Sequence, residues 1–161
     1  MEKINKNILN NIFLENDEYE TPEKITSKIQ KNELNDILSK LCFIIENNII
    51  IDYIYFKYLA TNTTYNYILM YITNNINNIL LENNDFIVHV NMKKISLSDV
   101  DKHKLFIQNF SSCLKEKYPD KLSKCYIYNA PGVFKQILNI ISIFIDKETQ
   151  EKIELVKHKT Y

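Results

Sequence analysis

The segment from Tyr118 to Val156 constrains the fold of this chain more than any other part of the sequence. A Tyr-Pro pair that stops a helix precedes a short β-branched and aromatic stretch, an Asn-Ala-Pro-Gly turn with the chain's single glycine, and a long apolar run. A strand that passes through a tight turn into a helix is the first half of a crossover between parallel strands. The segment therefore predicts an α/β fold with a parallel sheet.

The preceding residues continue this alternation of strands and helices. The predicted strands cover residues 49–60, 86–90, 125–128 and 153–156, and the predicted helices cover residues 65–80, 98–118 and about 133–145. The first of these strands suits burial on both faces, although a helix over the same residues is an open alternative. The spacing from Ser98 to Asp101 predicts a capping box at the start of the second helix. We predict a mostly parallel sheet of about four strands, covered by helices.

The remaining residues, 1–48, are predicted to form an N-terminal helical segment that packs with the α/β domain, residues 49–161, into one compact unit. Thr21 and Pro22 are a strong helix start, because threonine is a good N-cap and proline suits the first helical position. Apolar spacing extends one or two helices from there to about Asn47. Residues 2–14 are a weaker helix candidate that covers the core.

The charge composition argues against nucleic acid as a partner. Twenty basic and twenty acidic residues balance to a net charge of zero, and every basic residue is a lysine. Proteins that read nucleic acid normally have a positive excess and use arginine for phosphates and guanine edges. Abundant Ile, Asn, Lys and Tyr without Arg or Trp is also typical of an AT-rich coding sequence, as in some protozoa and large DNA viruses.

Hydropathy gives an expectation about location. The longest apolar stretches are shorter than the roughly 20 residues that cross a bilayer. The residues after Met1 contain no unbroken apolar core of the signal-peptide type. We therefore expect a cytoplasmic protein that is not membrane-spanning.

Residues that carry catalysis or bind metals are sparse. Cys42, Cys113 and Cys125 lie in apolar patterns typical of inert, reduced core thiols, although spacing alone does not exclude a Cys–His pair. His89 lies in a predicted buried strand, where a core imidazole with satisfied hydrogen bonds is the favoured interpretation. The cysteines and histidines show no spacing typical of metal ligands.

The scarcity of glycine points the same way. One glycine is too few for a dinucleotide fingerprint, a P-loop or a nucleophile elbow. We interpret Gly132 as a residue that relieves crowding at the strand-to-helix turn. We predict no catalytic residue, no metal and no cofactor, and hence a protein that is not an enzyme.

The helix predicted after Pro131 is apolar on almost every side, so its second face must contact something other than water. It is either a central core helix or one wall of an apolar ligand pocket. The residues predicted to line that pocket are Phe134, Ile137, Leu138, Ile141, Phe144 and Ile145.

A series of short motifs over the last third of the chain suggests a family. These are Tyr118-Pro119, Asn129-Ala130-Pro131, Phe134, and then Asp146, Thr149, Lys152 and Ile153. In type and order they resemble the CRAL-TRIO or Sec14-like lipid-binding domain. The resemblance implies that the helix after Pro131 is the movable gate of a lipid tunnel. Because many members continue past the final strand into another helix, it also predicts a divergent member that is shortened at Tyr161.

The resemblance gives the expected function as a lipid-binding or lipid-transfer module. Its ligand is a phospholipid, phosphoinositides included, or another hydrophobic molecule. The cluster Lys152, Lys157, His158 and Lys159 follows the gate; it is either a solvated terminus or a site that attracts a head group or an anionic membrane surface. The alternative function is a protein-interaction adaptor with a collapsed pocket, either a homodimer or a partner of a small GTPase.

Overall fold

The computed structural model describes residues 4–13 and 19–157. In chain order, the helices and strands are α1 (Lys6–Ile12), α2 (Pro22–Gln30), α3 (Leu34–Leu41), β1 (Cys42–Ile45), β2 (Asn48–Asp52), α4 (Tyr53–Leu59), α5 (Tyr65–Leu80), β3 (Phe86–Asn91), α6 (Leu97–Lys102), α7 (Lys104–Lys117), β4 (Leu122–Tyr128), α8 (Phe134–Ile141), α9 (Lys147–Glu151) and β5 (Ile153–Val156). Across these ranges, no helix has the length and hydropathy needed to cross a membrane.

The strands form one five-stranded sheet in the order β1-β2-β3-β4-β5. The strands β2, β3, β4 and β5 are parallel to one another, whereas β1 pairs antiparallel with β2. Each parallel connection contains helix, as a crossover requires. The predicted α/β class with a mostly parallel sheet is therefore confirmed.

Strand β1 corrects the prediction for the N-terminal segment, which was helical to about Asn47. Helix α3 ends at Leu41, and Cys42–Ile45 form a strand. Apolar residues continue without a break past Leu41, so the sequence pattern does not show where the helix ends and the strand begins. A tight turn at Glu46, whose φ is 56°, folds β1 back so that Ile44 pairs with Ile49. The sheet consequently has one strand more than predicted.

Three other boundaries differ from the prediction for reasons of capping. Residues 49–60 divide into β2 and α4, because the Asp52 carboxylate accepts a hydrogen bond from the Ile54 N–H at 3.0 Å and starts a helix there. The capping box lies at Ser96 and Asp99, two residues before the predicted position. The helix predicted to reach about residue 145 ends at Ile141.

The two faces of the sheet are covered differently. On one face, Ile8 and Ile12 of α1 pack against Ile50, Tyr126 and Tyr128. On the other face, side chains from α3, α4, α5 and α7 form the main core with β2 and β3. A parallel sheet needs cover on both faces, and here the N-terminal helix provides it for one of them.

His89 joins the strands on the α1 face through hydrogen bonds. Its ring lies 1% exposed in β3. The His89 Nε2–H donates to Asn48 Oδ1 at 2.8 Å, and the Tyr128 hydroxyl donates to Nδ1 at 2.7 Å. Burial lowers the pKa of His89 to about 4, so the imidazole is neutral in this network. The structure thus agrees with the predicted core role of this histidine.

Replacing Tyr128 by phenylalanine tests this network. The change leaves His89 Nδ1 buried without a donor, which we expect to lower the free energy of unfolding by about 1–3 kcal/mol. Urea unfolding measures the loss, and Tyr67→Phe, on a ring that is 42% exposed, is the control with little expected effect. Equal stability of the two variants would contradict the role given to the network.

Candidate functional site

An apolar cavity of about 530 Å³ lies between the sheet and the helices on the face opposite α1. Its floor comes from alternate residues of neighbouring strands, which point to the same side of a sheet. Val88 pairs with Cys125, and Val90 pairs with both Ile51 and Ile127, so these side chains form two continuous rows. The floor is therefore apolar throughout.

The walls of the cavity are helical. Helix α7 contributes Phe106, Phe110 and Leu114, which recur every four residues and so lie on one face. The opposite wall comes from α8 and the turn that follows it. Helix α8 packs against α6 through a buried cluster of Val100, Ile137 and Ile141, which further partly buried apolar side chains surround.

The six side chains predicted to form a pocket wall divide into two groups. Ile137, Ile141, Phe144 and Ile145 line the cavity. Phe134 is buried and Leu138 packs beside Val100, but neither lines the cavity. Whether the four lining residues contact a lipid stays a prediction.

Charged residues surround the cavity where it opens to the surface. They are Lys115, Asp120, Asp146, Glu148 and Lys152. Hydrogen bonds from Thr149 lower the pKa of Asp146, and the charges of Lys115 and Lys152 add to the effect. Lys152 Nζ lies 3.8 Å from Glu148 Oε1. The rim is therefore a mixed cluster of acids and lysines.

The other residues predicted for a head group lie elsewhere. Lys157 is exposed and does not line the cavity. His158 and Lys159 lie outside the described residues. Of the predicted cationic cluster, Lys152 alone is placed at the rim among the described residues.

Sequence reasoning missed a second polar region of the cavity, formed by Tyr53 and His103. Both residues are buried, and the edge of the Phe56 ring packs on His103 with centroids 5.0 Å apart. His103 precedes α7 and Lys115 lies near the end of that helix, so the two polar regions are separated by about 18 Å along its axis. No local motif marks these residues, because their side chains meet only in the folded chain.

The Asn-Ala-Pro turn is fixed by hydrogen bonds at the carboxyl ends of the strands. Asn129 Nδ2 donates to Asn91 Oδ1 at 2.9 Å, and Asn91 Nδ2 donates to Asp52 Oδ2 at 3.4 Å. Asn129 adopts a left-handed φ of 54°, which asparagine tolerates well. The start of the cavity wall is thereby tied to β2 and β3.

Gly132 does not have the role predicted for it. Its φ is not positive, and a Cβ added there would meet no atom within 4 Å. The interpretation that this glycine relieves crowding is therefore wrong. Asn129 makes the unusual backbone turn instead.

Nothing in the described ranges assembles an evident metal site, since no group of three His, Cys, Asp or Glu side chains is placed to hold an ion. The cysteines are free thiols. Burial raises the pKa of both Cys42 and Cys125 to about 12, far from the range in which a thiol is a good nucleophile.

Comparison with known proteins places these features in context. The family model described as "CRAL/TRIO domain" matches residues 49–161. The Sec14 cytosolic factor of Schizosaccharomyces pombe is 28% identical over 67 residues, covering 42% of this chain and 23% of that protein. The SEC14 cytosolic factor of Yarrowia lipolytica is 30% identical over 66 residues, covering 41% of this chain and 13% of that protein. The chain thus spans less than a quarter of the length of these curated relatives.

Among solved structures, the crystal structure of Sfh5 matches 93% of this chain and 53% of its own, with a TM-score of 0.63. The sequences are 17% identical. This similarity shows a shared fold.

Thiol alkylation tests the burial of Cys42. With a pKa near 12, the buried Cys42 holds almost no thiolate at pH 8, and we expect iodoacetamide to modify it at least about a hundredfold more slowly than in the urea-unfolded chain. The rate should rise as the pH approaches 12. Mass spectrometry of the peptides measures it, and equal rates in native and unfolded protein would contradict the burial.

Proposed function

Because the chain belongs to the CRAL/TRIO domain family, we propose that it is a non-enzymatic lipid-binding or lipid-transfer module. The ligand is one molecule of phospholipid or another hydrophobic compound, held in the apolar cavity. We place this activity in the cytosol, with transient binding to membrane surfaces.

The cavity is the observation that carries the proposal. Its volume of about 530 Å³ falls within the roughly 300–1,000 Å³ typical of small-molecule sites. An apolar floor and two apolar walls favour a ligand that gains by leaving water. The alternative of an adaptor with a collapsed pocket finds no support in a cavity of this size.

The geometry also supports a gate at α8. The floor belongs to a hydrogen-bonded sheet, whereas α8 packs through an apolar cluster around Val100, Ile137 and Ile141 that is separate from the main core. Phe144 and Ile145 line the cavity in the turn after α8, and Ile143 between Ser142 and Phe144 is 81% exposed. We propose that this turn contacts the membrane while α8 moves aside to admit the ligand.

The rim supplies a site for a polar head group. Lys115 and Lys152 offer two positive charges, while Asp120, Asp146 and Glu148 offer three negative ones. We propose that Lys152 pairs with a lipid phosphate, phosphoinositides included.

A cavity-filling variant tests lipid binding. Val90→Phe adds bulk to the cavity floor and should reduce the bound lipid at least about tenfold, because overlap of side chain and ligand excludes the ligand. Native mass spectrometry of protein purified from eukaryotic cells measures ligand mass, occupancy and subunit count together. Leu105→Phe, on an exposed part of α7, is the matched control.

The outcomes of this experiment separate the two candidate functions. A copurifying lipid that Val90→Phe removes and Leu105→Phe retains supports the lipid module. A lipid-free stable dimer would overturn it and favour the adaptor. Circular dichroism establishes that the variants remain folded.

Charge reversal at the rim tests the head-group site. A lysine near an anionic surface contributes about 1 kcal/mol, so Lys152→Glu should weaken binding to vesicles that contain phosphoinositides by at least about fivefold. Vesicle cosedimentation measures this, with Lys135→Glu, an exposed residue of α8 outside the cavity lining, as the control. Equal binding by both variants would reject the role of Lys152.

A further inference from the structure

Strand β1 forms one edge of the sheet, and part of its backbone faces away from the other strands. Asn47 O accepts a hydrogen bond from the Ile87 N–H at 3.0 Å, so the odd-numbered residues of β2 face β3 and the even-numbered ones face β1. Those even-numbered residues pair with Phe43 and Ile45, which therefore exchange hydrogen bonds with β2. The N–H and C=O of Ile44 consequently point to the outer edge.

Four backbone groups of this edge have no partner. They are the C=O of Cys42, the N–H and C=O of Ile44, and the N–H of Glu46, none of which makes a hydrogen bond within residues 4–13 and 19–157. The Cys42 N–H is not among them, because it donates to Leu38 O. The three side chains of β1 after Cys42 are each partly exposed, so solvent reaches this strand. Such a row of groups is a template for pairing with another strand.

The two edge strands of the sheet differ in how they discourage such pairing. Proteins usually protect an edge with charged side chains, proline or a bulge. Strand β5 contains Glu154, and the exposed Lys157 follows it. Strand β1, with the sequence Cys-Phe-Ile-Ile, has no charge and no proline, and its register with β2 is unbroken. The edge at β1 is thus the unprotected one.

The four groups of β1 are complementary to those of a second copy. When two β1 strands run antiparallel about a two-fold axis at Ile44, each Ile44 donates to and accepts from its counterpart. Each Glu46 N–H then donates to the Cys42 C=O of the other copy, so four hydrogen bonds satisfy every group. The same register sets Phe43 opposite Ile45, and aromatic–β-branched pairs of this kind stabilise a sheet.

Helix α5 places no charge in the way of this arrangement. It packs against β1, and Asn75 Nδ2 lies 3.5 Å from Cys42 Sγ. A two-fold axis perpendicular to the sheet brings α5 of both copies to the same face, close to the new strand pair. No residue of α5 is charged, and its exposed side chains include Tyr67, Met70 and Asn74. Tyrosine and methionine are enriched at protein interfaces, where charged residues are depleted.

We propose that this edge is a homodimer interface, in which β1 pairs with β1 and the two five-stranded sheets become continuous. A short strand pair buries little surface, so the interface belongs to the weak, transient class. The dimer is independent of lipid binding, because no residue of β1 belongs to the cavity lining. Strand β1 also precedes residues 49–161, which the family model matches.

Sedimentation velocity of the full chain over about 1–300 µM tests the interface, and we expect a concentration-dependent equilibrium of monomer and dimer. Ile44→Pro deletes the central N–H while keeping the hydrogen bonds to β2. It should weaken dimerisation at least about tenfold, because two of the four hydrogen bonds are lost. Leu155→Pro is the matched control, since the Leu155 N–H points outward from the opposite edge, and it should leave the dimer unchanged.

A chain that stays monomeric over this range overturns the proposal. So does a dimer that Ile44→Pro weakens no more than Leu155→Pro does. Circular dichroism checks that both variants fold. If Ile44→Pro does not fold, hydrogen exchange of the unmodified chain decides: the amides of Ile44 and Glu46 should exchange at least about fivefold more slowly at the high concentration than at the low one, and equal rates overturn the interface.

The dimer and the lipid module can fail separately. A dimer that carries a copurifying lipid agrees with both proposals. A monomer that carries lipid overturns the interface alone, and a lipid-free dimer overturns lipid binding alone.

Discussion

The requirement that a parallel sheet be covered on both faces governs this structure. Its central strands have no face suited to water, so helices must lie on each side. The α1 face is closed by close packing and by the hydrogen bonds of His89. The other face is only partly filled, because α7 and the α8–α9 segment stand apart over the middle of β3 and β4. The candidate site is the space that remains between the sheet and the helices α7 and α8 that cover it.

The position of that cover depends on a few polar contacts at the strand ends. Asn129 turns the chain out of β4 and is hydrogen-bonded to Asn91, which in turn contacts Asp52. These side chains bring together the ends of three strands and the start of α8. These contacts give the cavity wall a fixed starting point at Asn129.

The sequence was informative wherever the signal was local. Helix α5 and strand β5 lie where the periodicity predicts them, and Thr21 caps α2 as its chemistry suggests. Strand β1 was not predicted, because a short apolar run is compatible with both a helix and a strand. The motif series predicted the family correctly. The structural role predicted for Gly132 was wrong. The turn was therefore predicted at the right place, but the residue with the left-handed backbone is Asn129, three positions before Gly132.

The candidate site was less predictable than the fold. Four of the six predicted wall residues line the cavity, because apolar character in the α8 region was visible in the sequence. The inner polar region was not, since Tyr53 and His103 are 50 positions apart and neither belongs to a motif. The volume of the cavity depends on the distance between helix and sheet, and no residue pattern encodes that distance directly.

The β1–β2 hairpin has a consequence for how the chain folds. Ile45 pairs with Asn48 across a two-residue turn, whereas the parallel pairings join residues between 28 and 39 positions apart. Closing a short loop costs little entropy and takes microseconds, while distant strands meet slowly. We expect the hairpin to form early and to offer β2 as a ready edge on which β3, β4 and β5 assemble in turn. The sheet that forms the cavity floor then grows from β2 towards β5, and we expect the α8 wall to pack on it last.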